Sequence, residues 1–123
     1  MEILNKHKQI VLATKVLRAK SFFQRLKGLI GTQCMKDGMG LLIVPCSSVH
    51  TCFMRYPIDV MFLDEDNKIL HIMHSMQPYR FSPIVKGAKK VLELPAGICL
   101  STSTAVNDQV ELIAGGQRRP YKG

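Results

Sequence analysis

No stretch of this sequence approaches the ~18–20 consecutive apolar residues needed to cross a bilayer as a helix; every long apolar run is broken by Lys, Asp or His within a few positions. That excludes integral association through helices. The start, Met1-Glu2-Ile3-Leu4-Asn5-Lys6-His7-Lys8, lacks the apolar core of a secretory signal, so the chain as it stands reads as cytoplasmic. Cysteine is confined to Cys34, Cys46, Cys52 and Cys99, too few and too scattered for a disulfide framework, and buried thiols are expected. Acidic residues are scarce, nine against seventeen Lys and Arg, and no internal repeat or low-complexity segment is present. Paired carboxylates placed for acid–base work, a metal-binding Cys/His box and the common nucleic-acid motifs are all missing.

What is there fits one domain. A chain of 123 residues with 46% hydrophobic content is long enough for one sizeable core, expected over residues 1–114, with residues 115–123 a basic, disordered tail. The net charge of +8 is uneven. Lys6, Lys8, Lys15, Arg18, Lys20, Arg25, Lys27 and Lys36 face only Glu2 in the first 36 residues, while Asp59, Asp64, Glu65 and Asp66 gather the negative charge. Such a balance permits binding to nucleic acid or an acidic partner, although a solvated basic face is the favoured reading, because net charge bears on solubility and nonspecific binding more than on function.

The pattern is that of many short strands. Residues 9–16 alternate as a strand, and Ser21 offers a cap for a short helix over residues 21–27, stopped by Gly28 or Gly31. Leu41-Leu42-Ile43-Val44 is a continuous apolar run suited to a strand buried on both faces, ended by Pro45. Residues 49–54 and 58–63 read as two more strands around a bend at Tyr56-Pro57. Asp64-Glu65-Asp66-Asn67-Lys68 is the clearest hairpin turn, with a return strand from residue 69. Residues 77–87, with Pro78 and Pro83, predict a mobile surface loop carrying Tyr79 and Phe81. Short strands follow at residues 91–94 and 109–113, with a helix or irregular chain between residues 98 and 106. The expected fold is mainly β, a compact jelly-roll-like sandwich or small barrel with one or two short helices.

The chemically dense part is residues 45–64. If residues 46–54 were extended, Cys46, His50 and Cys52 would share one face at ~6.5–7 Å spacing, too far apart to converge on a metal without a bulge and poorly aimed for a thiol–imidazole pair. No metal and no cofactor is expected. Arg55 and Asp59 are placed either to form a bidentate ion pair across the bend or, the favoured alternative, to let Asp59 accept backbone N–H groups, because a carboxylate between Ile58 and Val60 must be satisfied.

The elements Gly28-Leu29-Ile30-Gly31, Gly40-Leu41-Leu42-Ile43, His50-Thr51 with Met54, Pro57-Ile58-Asp59 and Leu92-Glu93-Leu94-Pro95-Ala96-Gly97 occur in an order that resembles the domain of unknown function 192 family across residues 11–112. Ile30 stands where that family often has Met, and Val106-Asn107-Asp108 where it often has a Gly-Asp step. The resemblance implies a compact β-sandwich with a minor helical part. It implies no catalytic residue, cofactor or substrate, because the family's activity is unassigned. The leading expectation is a small soluble binding module for an unknown small ligand or protein, with its site at His50, Thr51, Arg55 and Asp59 beside the 77–87 loop. An enzyme using His50 or a Cys thiol, and a basic interaction protein for nucleic acid or an acidic partner, remain open alternatives.

Overall fold

A computed structural model describes residues 1–20, 35–52 and 54–114. In chain order they form β1 (Glu2–Asn5), β2 (Ile10–Ala13), β3 (Lys15–Ala19), β4 (Met39–Ile43), β5 (Ile58–Leu63), β6 (Ile69–Met76), β7 (Lys90–Pro95), α1 (Ile98–Ser101) and β8 (Val110–Ile113). They assemble into a three-stranded sheet, β2-β1-β8, and a five-stranded sheet, β3-β4-β7-β5-β6, neither closed into a barrel. The mainly β expectation with a minor helical part is met.

The run of apolar residues in β5 has a direct cause. Every one of its six positions is buried, because the larger sheet is covered on both faces. Leu42, Met61, Leu63, Leu92 and Leu94 pack against Ile3, Leu12 and Val110 of the smaller sheet. On the opposite face Leu41, Ile43, Ile58, Val60, Phe62 and Val91 pack against Val49, Met54 and Tyr56. Among the described residues, that second face is covered by irregular chain instead of a sheet. Phe62 is the largest of the wholly buried side chains in this layer.

Two strand expectations are corrected. In place of the strand expected over residues 49–54, the described residues 49–52 and 54 contribute one antiparallel bridge, His50 to Phe81, before Met54 N–H returns to the Thr51 carbonyl at 3.1 Å and turns the chain. The strand expected over residues 9–16 is two. Thr14 and Lys15 both donate their N–H to the Gly38 carbonyl, at 2.8 and 2.9 Å, and there the chain leaves the smaller sheet for a parallel pairing with β4. The 64–68 hairpin is as expected: Asp64 Oδ1 accepts the N–H groups of Asp66 and Lys68, and Asn67 takes the left-handed φ of 65°. The helix expected at residues 21–27, Cys34 and the tail lie outside the described residues.

A buried polar network joins the β1–β2 turn to the loop before β8. Asn5, with no exposed surface, donates to Thr104 Oγ1 and Asp108 Oδ2, each at 3.0 Å, and its Oδ1 accepts from Lys8 N–H at 3.1 Å. Asp108 also accepts from Ala105 N–H at 3.0 Å and lies 3.4 Å from Lys8 Nζ. Burial pushes the Asp108 carboxyl upward, but the Asn5 and Ala105 hydrogen bonds and the Lys8 charge outweigh it and hold it below the ordinary 3.8. A group whose pKa is lower folded than unfolded stabilises the fold above its unfolded value and ceases to do so as pH falls through the folded one. Urea unfolding should therefore show wild type more stable than Asp108→Asn at about pH 6, with the difference shrinking once the pH drops below about 4. A difference that does not vary with pH would contradict this.

Candidate functional site

Asp59 occupies the one polar position in β5, on the face that also presents Met61 to the smaller sheet. Its carboxylate is wholly buried and takes three backbone donors: Ser75 N–H on Oδ1 at 2.8 Å, Gly97 N–H on Oδ1 at 3.1 Å and Cys99 N–H on Oδ2 at 2.9 Å. Backbone N–H groups are indeed its partners. They come from two segments distant in sequence, however, not from the Tyr56-Pro57 bend. Across from Asp59 the β5–β6 register slips: Ile58 faces Met76 and Val60 faces Met73. The extra residue is accommodated by Ser75, whose φ of 48° turns its N–H toward the carboxylate. Gly97 has φ 94°, a conformation suited to glycine, and so delivers the second N–H.

Thr51 does comparable work on the other side of the larger sheet. Its buried hydroxyl donates to the Gln77 carbonyl at 2.6 Å and accepts from Arg80 N–H at 2.8 Å. Backbone bonds run alongside it: Thr51 N–H to Arg80 O, Tyr79 N–H to Thr51 O, Ser82 N–H to Val49 O and Val85 N–H to Ser47 O, all between 2.8 and 3.0 Å. Ser82 Oγ adds a bond from Val49 N–H at 2.8 Å. The 77–87 loop, expected to be mobile, is thus fastened along its length to residues 47–51.

The fastening holds apolar side chains out in solvent. Tyr79 is 64% exposed, Phe81 74% and Ile84 80%. The half-buried His50 ring lies 5.7 Å from the Phe81 ring, tilted by 46°, and its Nδ1 accepts Cys52 N–H at 3.3 Å. Arg55 and Arg80 are exposed. His50, Thr51 and the loop are therefore brought together, and Asp59 reaches the same loop only through β6. Arg55 and Asp59 are not brought together: one is at the surface and the other is sealed under the smaller sheet, so the bidentate pair does not form.

The thiols divide by environment. Cys46 Sγ donates to the Ser48 carbonyl at 3.0 Å. Cys99 is buried against Asp59, and burial together with the carboxylate charge pushes its pKa far above the usual thiol range, keeping it protonated. Among the described residues no cluster of three His, Cys, Asp or Glu is placed to hold a metal ion. Sequence reasoning passed over Ile84 as an exposed apolar residue and Glu93 as a wholly buried one. It also missed Ser75, Gly97 and Cys99 as the donors to Asp59. The Pro95-Ala96-Gly97 turn was the available signal for the last two.

The site therefore belongs to a two-sheet β protein in which one buried carboxylate and one buried hydroxyl fix a surface loop. The chain belongs to the domain of unknown function 192 family, described as "Uncharacterized ACR", whose sequence profile matches residues 3–112. It is 30% identical over 114 residues to a UPF0127 protein of Thermococcus sibiricus, covering 89% of this chain and 73% of that one. A crystal structure of a protein of unknown function from Novosphingobium aromaticivorans is similar with a TM-score of 0.75 and 20% identity, over 90% of this chain and 82% of that one. A Sinorhizobium meliloti protein, named as a candidate transcription regulator, is similar with a TM-score of 0.72 and 22% identity, over 89% of both chains. At these identities the two structures speak for the fold alone.

Two outcomes follow from the buried groups. Asp59→Ala strands three backbone donors at ~1–3 kcal/mol each, so chemical denaturation should show a loss of at least about 3 kcal/mol; an unchanged midpoint would contradict the role described. Cys99 should resist alkylation in the native protein and react only on unfolding, as followed by residue-resolved mass spectrometry, whereas modification as fast as that of the partly exposed Cys52 would be inconsistent with its burial.

Proposed function

We propose that this protein is a small binding module whose ligand meets the surface built from His50, Arg55 and residues 79–84. The observation that carries this reading is the set of strongly exposed apolar side chains, Tyr79, Phe81 and Ile84, on a loop whose backbone is already ordered by hydrogen bonds. A disordered loop would incur an ordering cost on binding that a fastened one avoids. In this reading His50 and Arg55 contact the ligand directly, the ring beside Phe81 and the guanidinium as an exposed cation. Thr51 and Asp59 are positioning residues, the first holding the loop to residues 47–51 and the second shaping the end of β6 that leads into it.

Catalysis by a thiol is less well supported. Of the two thiols near His50, Cys46 Sγ donates to the Ser48 carbonyl, and His50 Nδ1 is engaged by the backbone N–H of Cys52 and not by its thiol.

A titration followed by amide NMR tests the module, with phenyl phosphate as a probe that is both aromatic and anionic. The expected perturbations concentrate on His50, Arg55 and residues 79–84 and vanish in Phe81→Ser, whose stability should stay within about 0.5 kcal/mol of wild type because the side chain is largely exposed. Perturbations elsewhere, or none at millimolar probe, would overturn the reading.

A further inference from the structure

We infer that the partner of this surface is an anionic lipid bilayer, met peripherally by Tyr79, Phe81 and Ile84 with Arg55, Arg80 and Lys86 as headgroup contacts. The inference rests on the binding reading above and specifies what is bound. Shape is the first argument. Side chains that are 64%, 74% and 80% exposed project from the surface, whereas a small-molecule site is concave and buries its lining. A projecting apolar set fits a soft, deformable partner.

Composition is the second. Tyrosine and phenylalanine are at home at headgroup depth, and an aliphatic side chain beside them adds buried apolar area in the acyl boundary. Single-stranded nucleic acid favours aromatic faces on which bases stack, and Ile84, the most exposed of the three, offers none.

Charge is the third. No Asp or Glu occurs between Asp66 and Glu93, Arg80 sits between the two aromatic residues, and Lys86 lies two residues beyond Ile84. Arg80, Lys86 and Arg55 are all exposed. The acidic residues Asp64, Glu65 and Asp66 lie in the hairpin at one end of β6, and the loop leaves from the other, about 25 Å away at the rise of an extended strand. Only the start of the loop, Tyr79 to Phe81, is set apart in this way, because the chain returns to the hairpin end at Lys89, whose N–H bonds the Leu63 carbonyl; at that start Arg80 is complementary to a negatively charged surface.

The test is co-sedimentation of the full chain with phosphatidylcholine vesicles and with mixed phosphatidylcholine–phosphatidylglycerol vesicles. Expected is partitioning onto the anionic vesicles that weakens with salt, at least about tenfold stronger than onto phosphatidylcholine alone. Phe81→Ser/Ile84→Ser and Arg80→Ser/Lys86→Ser should each lose at least about tenfold without a change in melting temperature. Because the chain has no tryptophan, Phe81→Trp supplies a single reporter whose emission should shift to the blue on anionic vesicles. Absence of vesicle binding would overturn the inference. So would binding unaffected by Phe81→Ser/Ile84→Ser, or preferential capture of a single-stranded oligonucleotide through the same residues. If the vesicle experiment fails while phenyl phosphate still maps to the loop, the lipid assignment alone falls; if both fail, the binding module falls with it.

Discussion

The Asp59 carboxylate is the constraint on which the rest of the structure depends. A carboxylate removed from water must recover its lost solvation through hydrogen bonds, and here it does so with three backbone N–H groups. Meeting that requirement forces a bulge into β6 at Ser75 and a left-handed glycine at Gly97. The bulge determines how the chain leaves β6. Two residues later the Gln77 carbonyl meets the Thr51 hydroxyl, and from there the loop is laid down along residues 47–51. A group sealed between two sheets thereby shapes a surface on the far side of one of them.

That arrangement explains which parts of the fold were legible in the sequence. The 64–68 hairpin was readable because Asp64 acts on residues two and four positions away. Leu41-Leu42-Ile43 was readable because burial on both faces removes alternation, and β4 is buried at all three positions. Residues 49–54 carry the same apolar spacing as a strand, but those of them that are described, 49–52 and 54, lie in none. The backbone groups of Val49 and Thr51 are taken by the 77–87 loop, and nothing near them in sequence announces that partner.

The candidate site shows the same division. That Asp59 had to be satisfied followed from its apolar neighbours, yet the identity of its donors depended on chain more than fifteen residues away in each case. The two aromatic residues of the loop were visible as composition. Their exposure was not, because it results from the backbone being tied down beneath them. Arg55, four residues from Asp59, is exposed while Asp59 is wholly buried, a distinction that linear spacing does not encode.

The smaller sheet places its first strand in the middle. β1 lies between β2 and β8, and its outer partner Val110–Ile113 follows it by more than a hundred residues. During synthesis, β1 can pair with β2 early, but its other edge stays open until nearly all of the described chain has left the ribosome. The face of the larger sheet that carries Met61, Leu92 and Leu94 waits for the same event to be fully covered. Closing so long a loop is entropically slow, so completion of the fold is tied to the arrival of β8, and until then an unpaired β1 edge is available to other chains.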